Sequence, residues 1–406
     1  MIVRFESWGA WVKLESVPAL VALDRAGVLG LGLDGGSIWT SSRLPCSSPP
    51  LSSLPSTPLE VHLAVTAKCG AGCEGCYLDA RPDGHEPPLA TLLSRLDALK
   101  EAGVFTVAFG GGEPTTREDL GLLAKEASLR GITPVLTTSG LGLSKEKAGR
   151  LSAFAQVNVS YDGVGEDYAA VRGFDGARPA EAAVRWLAEE GVRVGVNVVL
   201  TRRTFPRLGE TLRRARSLGA REAQLLRYKP AGRAATIEYL ARRLSPEQAA
   251  SVGPTLRALA AEHAALAGEF SIRIDCAMVP FLSADPEIAR SPEHLARLGV
   301  FGCEGGQALA AVKVDGSVAP CSFARSTPLL AEDLASGMND DPEIARWRAY
   351  PNAAPEPCAS CSLRSVCKGG CKIVASFLRG EPGEDHSPDP ECPRVRAFRK
   401  GDEAAS

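Results

Sequence analysis

Three cysteines, Cys69, Cys73 and Cys76, fall in one short segment, AKCGAGCEGCY, at the spacing C-x3-C-x2-C. Three thiolates can hold three irons of a 4Fe-4S cube and leave the fourth iron open to an external ligand, with Gly70, Gly72 and Gly75 letting the backbone wrap closely. A three-ligand zinc site, or a loop of reduced thiols, is the plainer reading. Seven more cysteines lie toward the C-terminus as Cys303-x12-Gly316-x4-Cys321, then Cys358-x2-Cys361-x5-Cys367-x3-Cys371, then Cys392. Paired zinc ribbons use the same C-x2-C knuckles, so this pattern alone leaves iron-sulfur and zinc open. Only Cys46 and Cys276 stand apart from the two groups. Clustered thiols among 12 cysteines in 406 residues are too sparse for a disulfide scaffold and suit ligation in a reducing compartment.

A second chemical feature is FGGGEP, carrying Gly111, Gly112, Glu113 and Pro114, where a carboxylate could accept charge-assisted hydrogen bonds from an ammonium. Glycines before Glu-Pro also form plain turns. Farther on, TTSGL presents Ser139, NVSYDG presents Ser160 and Asp162, VRGF presents Arg172, and Asn197 lies in a later apolar run. An Arg fork suits a carboxylate, although caps, turns and surface charges account for such residues as readily. Asp79, Asp162 and Tyr228 are acidic or phenolic groups in the same loops, and none is singled out as a base.

The elements that must position these residues alternate short apolar runs with longer amphipathic ones, the mark of strand-helix units on a parallel sheet. Strands are expected at 59–66, 105–110, 133–138, 156–162, 192–201 and 222–230, with helices such as LATLLSRLDALKEAG and ARPAEAAVRWLAEEG between them. The fold class is α/β, and a curved six-stranded partial barrel is one solution, with functional residues at its C-terminal strand ends. Four segments result: an N-terminal appendage with a Ser/Pro-rich linker over 1–58, the barrel over 59–235, a helical bridge and strand over 236–300, and a cysteine-rich part over 301–406. Ser245, Pro246 and Gln248 open the bridge helix with a capping box, and His263 falls on its apolar face as a structural residue. Few apolar runs follow Val318, so bound metal is expected to hold the last third together.

The cysteine loop after the first strand, followed one unit later by GGEP, resembles the radical S-adenosylmethionine superfamily. The seven-cysteine pattern resembles the SPASM extension of its peptide-modifying members. This resemblance covers about residues 59–395 and implies S-adenosylmethionine and three 4Fe-4S clusters. Cys69, Cys73 and Cys76 would hold the cofactor-binding cluster. Cys303, Cys321 and Cys371 would hold the inner auxiliary cluster, and Cys358, Cys361, Cys367 and Cys392 the outer one. Gly111, Gly112, Glu113, Pro114, Ser139, Ser160, Asp162, Arg172 and Asn197 would contact the cofactor. Glu113 would serve as an exposed strand-end carboxylate for the methionine amino group. Two departures appear. Ser139 replaces a usual Asn, and Gly75 stands where an aromatic residue usually precedes the last cluster cysteine, which leaves Tyr77 or backbone for the adenine. The stretch before Cys303 lacks the extra cysteine of many relatives, so Cys276 is the candidate fourth inner ligand, against an open iron or a plain core thiol.

The resemblance further implies a 5'-deoxyadenosyl radical that oxidatively crosslinks or cyclises a peptide or protein, most naturally a ribosomally made precursor. The reductant would be a flavodoxin or ferredoxin. Alternatives are a heme or other small-molecule substrate, sulfatase-type maturation, or a non-catalytic electron carrier or zinc protein. The formal net charge of -2 gives no field for nucleic acid or an anionic membrane. No signal peptide or apolar stretch of about 18 residues occurs, so the expectation is a soluble, cytoplasmic enzyme.

Overall fold

Each apolar run of the central segment ends at a glycine, a turn or a capped helix, and six of these runs become parallel strands. The computed structural model describes residues 1–14, 19–41, 54–264, 270–289, 292–380 and 387–405. The chain opens with β1 (Ile2–Glu6), β2 (Gly9–Leu14) and β3 (Ala19–Asp24), an antiparallel meander. The barrel strands follow as β4 (Glu60–Thr66), β5 (Thr106–Gly111), β6 (Thr133–Thr138), β7 (Gln156–Ser160), β8 (Val194–Leu200) and β9 (Glu222–Arg227). They lie side by side in sequence order, every pair parallel, with helices such as Leu89–Glu101 and Ala177–Glu189 crossing between them. β8 is buried almost throughout, as a strand covered on both faces must be.

The sheet is longer than the sequence suggests. β10 (Ser271–Ile274) adds in parallel beside β9, and β11 (Leu309–Val312) adds in parallel beside β4, carrying the antiparallel β12 (Val318–Ala319). Nine strands thus share one sheet whose two ends do not pair with each other. The cysteine-rich part also shares the main core, where Val312, Val318, Leu334, Met338, Ile344, Leu363 and Val366 pack with barrel residues. Metal is therefore not all that holds it, because its few apolar residues are gathered onto an existing core rather than forming their own.

The appendage docks at the strand-entry end of the barrel. Arg4 donates to the carbonyls of Pro58 and Gly103, and Lys13 to that of Gly131, which are backbone groups just before β4, β5 and β6. Most of the Ser/Pro-rich stretch, residues 42–53 with Cys46, lies outside the described residues. Its end is packed and not an extended linker: Thr57 is buried, donating to the Ala102 carbonyl and accepting from Arg4. The capping box forms as read, with Ser245 Oγ accepting from Gln248 N–H and Gln248 Oε1 from Ser245 N–H. His263 is buried against Phe270, ring centroids 5.2 Å apart. No helix among the described residues is long and apolar enough to cross a membrane.

Candidate active site and cysteine groups

At the strand-exit end, β4 runs into the loop that carries Cys69, Cys73 and Cys76. The loop folds back on itself, with Ala67 N–H donating to His85 O and Cys69 N–H to Arg81 O. β5 ends directly against it. Gly112 N–H donates to Thr66 O and Glu113 N–H to Lys68 O, and a Cβ at Gly112 would stand 2.1 Å from the Lys68 carbonyl oxygen. Gly111 has φ +118°, and its Cβ would stand 2.2 Å from Thr66 O. Both glycines are required by this close approach.

Glu113 is not the exposed carboxylate the sequence suggested. It is 4% exposed and accepts from Thr115 N–H and Oγ1, Thr138 Oγ1, and Ser139 N–H and Oγ. The strand order brings the ends of β5 and β6 together, and Ser139 is spent on Glu113. Pro114 opens a 3-10 turn, Pro114–Thr116, behind it.

Ser160 ends β7 and is buried. Asp162, fully buried, accepts from Val199 N–H at 2.7 Å and from Arg172 Nε, while Arg172 Nη1 lies 3.9 Å from Cys73 Sγ. Burial works against the Arg172 charge, yet Asp162 and the Cys73 thiol hold it above the usual guanidinium range. Asn197 is buried on β8 and its Oδ1 has no protein partner. Asp79 is ion-paired to Arg81 and Arg233, so neither it nor Asp162 is an unengaged carboxylate.

Arg233 went unread in the sequence. Its Nε donates to Cys73 O, its Nη1 to Ala80 O and Asp79, and its backbone N–H to Cys76 O, strapping the cysteine loop to the segment after β9. Gly75 also finds its reason here. A Cβ on it would stand 3.2 Å from the Tyr228 ring, so an aromatic group from the end of β9 fills the space beside it. Tyr77 packs on Phe323 of the C-terminal part, centroids 4.6 Å apart. Tyr77 remains 37% exposed.

The C-terminal thiols form two groups. Cys358, Cys361, Cys367 and Cys392 line one cavity, together with Asp389 and Arg394. Arg394 Nη1 is 3.3 Å from Cys361 Sγ, and Ser283 Oγ is 3.5 Å from Cys392 Sγ. In the other group Cys303 and Cys321 belong to an apolar cluster with Trp347, and Cys371 belongs to a second cluster with Ala277. Cys276 begins the 3-10 helix Cys276–Ala284 at this point. Burial, with the charges of Asp275 and Cys303 adding, pushes its thiol well above the ordinary range. Burial raises Cys358 and Cys371 to about 12. All eleven described cysteines are free thiols.

A single zinc ion would draw its thiolates to about 3.8 Å of one another, given Zn–S of ~2.3 Å. Among the described residues no three His, Cys, Asp or Glu side chains converge enough to hold one metal ion. Lys372, next to Cys371, is buried with its ammonium unpaired except for the faces of Trp347 and Tyr350, 5.0 and 4.7 Å away. A buried cation without an acceptor is costly, and a nearby anionic cluster would relieve it.

A parallel sheet with a three-cysteine loop and a Gly-Gly-Glu turn at adjoining strand exits defines an enzyme class built to bind an iron-sulfur cofactor there. The Radical SAM superfamily matches residues 63–215. The chain is 30% identical to the pre-heme d1 synthase of Dinoroseobacter shibae over 359 residues, 81% of this chain and 84% of that protein. It is 29% identical to the PqqA peptide cyclase of Bradyrhizobium diazoefficiens, covering 82% and 86%. It is 28% identical to the mycofactocin maturase MftC of Mycolicibacterium smegmatis, covering 82% of each. The fold is shared with Streptococcus suis SuiB, solved with its precursor peptide SuiA, at a TM-score of 0.73 and 17% identity over 96% of this chain and 98% of that one. The chain belongs to the radical SAM superfamily and is an enzyme that uses S-adenosylmethionine and a 4Fe-4S cluster.

Proposed function

We propose that the protein oxidatively modifies a peptide, most naturally a ribosomally made precursor, by crosslinking or cyclisation. Cys69, Cys73 and Cys76 would hold the cofactor cluster. Cys303, Cys321, Cys371 and Cys276 would hold an inner auxiliary cluster, and Cys358, Cys361, Cys367 and Cys392 an outer one. When bound, these groups supply a 5'-deoxyadenosyl radical for hydrogen-atom abstraction and a one-electron path for the electron the substrate then gives up. The chain's own residues do the rest. Gly111, Gly112, Glu113 and Pro114 shape the strand exit beside the cysteine loop, and Glu113 orients the Ser139 backbone and hydroxyl. Arg172, held by Asp162, offers its remaining donors to a carboxylate near Cys73. Ser160 and the unpaired Asn197 Oδ1 offer polar contacts deeper in the barrel, while Tyr77 and Tyr228 offer aromatic faces beside the loop. A flavodoxin or ferredoxin in the cytoplasm would reduce the enzyme.

The observation that carries this reading is the Tyr77–Phe323 contact, which joins the cofactor loop to the segment that carries Cys321 of the inner thiol group. Relatives named as a peptide cyclase and a peptide-cofactor maturase support the substrate class. The pre-heme d1 synthase relative favours a tetrapyrrole as the second reading. Anaerobically reconstituted protein should hold about 12 irons, four per cluster. Replacing Cys69, Cys73 and Cys76 together by Ala should remove about a third of that iron and abolish 5'-deoxyadenosine formation. Unchanged deoxyadenosine in that variant would end the radical assignment, and stoichiometric zinc in place of iron would end the auxiliary one. Incubation with candidate precursor peptides and, separately, with a tetrapyrrole decides the substrate, since the right one loses hydrogen in mass spectra.

A further inference from the structure

Lys229 stands two residues past the end of β9 and is 8% exposed. Its ammonium is ion-paired with Asp275 and lies 4.3 Å from the centroid of the Phe323 ring. Phe323 in turn packs on Tyr77, the neighbour of Cys76. Asp275 is held by Ala277 N–H at 2.7 Å and directly precedes Cys276. One run of contacts therefore leads from the cofactor loop through Tyr77, Phe323 and Lys229 to Asp275, at the threshold of the inner thiol group.

A buried ion pair is seldom the cheapest way to fill a core, and an apolar pair of similar volume is often as stable. A fixed positive charge beside Cys276, Cys321 and Cys371 has an electrostatic consequence instead. The ion pair with Asp275 sets the ammonium one residue from Cys276, and its contact with Phe323 sets it against the segment that carries Cys321. In a poorly screened interior, a cation at short range favours whichever state of its neighbour is more negative.

We propose that Lys229 sets the reduction potential of the inner auxiliary cluster, holding it high enough to accept an electron, with Asp275 as the residue that positions the ammonium. This rests on the cluster reading of the C-terminal thiols. Iron in the wild-type protein therefore comes first: about four irons instead of about 12 would count against that reading and not against Lys229.

Given full iron, the test is an EPR-monitored redox titration of Lys229→Met, Lys229→Arg and the charge-neutral double variant Lys229→Met/Asp275→Asn. The inner-cluster midpoint should fall in Lys229→Met by at least the equivalent of a tenfold change in the one-electron equilibrium, about 59 mV. Lys229→Arg should stay near wild type, and the outer cluster should not move in any variant. Midpoints unchanged in Lys229→Met at full iron would overturn the proposal. Loss of inner-cluster iron from both Lys229→Met and the double variant would overturn it too, in favour of a purely structural pair.

Discussion

Because the Glu113 carboxylate accepts from Thr115, Thr138 and Ser139, it ties the exits of β5 and β6 together, and its removal strands the buried Thr138 hydroxyl and several part-buried donors at once. Each unsatisfied donor costs about 1–3 kcal/mol, so Glu113→Ala should lose about 3 kcal/mol or more of folding stability along with cofactor binding. Glu113→Gln, which keeps one acceptor oxygen, should lose less. Denaturant melts check this, and an unchanged midpoint in the Ala variant would show that the donors find water. His263 gives a pH effect. Burial lowers its pKa from 6.5, so folding favours the neutral ring, and the unfolded chain takes up a proton first as pH falls. Stability should decline below about pH 6.5, and His263→Phe should flatten that decline, as thermal melts between pH 5 and 8 would show. At this scale the sequence was legible where chemistry repeats. Cysteine spacings announce themselves, whereas Arg233, Lys229 and Lys372 are single residues whose meaning comes only from what folding sets beside them.

The six barrel strands were readable because apolar residues recur at strand and helix periods through the central segment. β10 was read as a strand but not joined to the sheet, and β11 was not read because a four-residue run carries too little pattern and the open edge that recruits it, β4, lies far away in sequence. The link between barrel and C-terminal part is likewise hidden. Arg227 at the end of β9 donates to Asp389 and Glu391, all three buried, while Asp389 accepts from Cys371 N–H and lines the cavity of the outer thiols. Breaking a buried pair by removing one partner costs about 3–5 kcal/mol. Arg227→Met should therefore loosen the C-terminal segment, seen as faster proteolysis near residues 387–392 and reduced iron. Proteolysis at the wild-type rate with full iron would mean that the clusters alone hold this segment.

Across the whole molecule, chemistry and docking occupy opposite ends. The cysteine loop and the inner thiol group gather at the strand exits, while the β1–β3 meander is fastened by Arg4 and Lys13 to the entries. The sequence could not reveal that residues 301–406 share a sheet and a core with the barrel. Residues 1–300 alone should therefore fail to give a monomeric barrel, with loss of β11 baring the β4 edge and part of the core. Gel filtration of that fragment, expected as aggregate, is the check. The same pairing imposes an order of events on biosynthesis. β4 leaves the ribosome more than two hundred residues ahead of the strand that covers it, so for most of translation the barrel carries a bare edge able to pair with a neighbouring nascent chain. At about 5–20 residues per second that exposure lasts tens of seconds at the slower rates, and production of this enzyme should improve with slower initiation or added chaperone more than with any change to its mature surface.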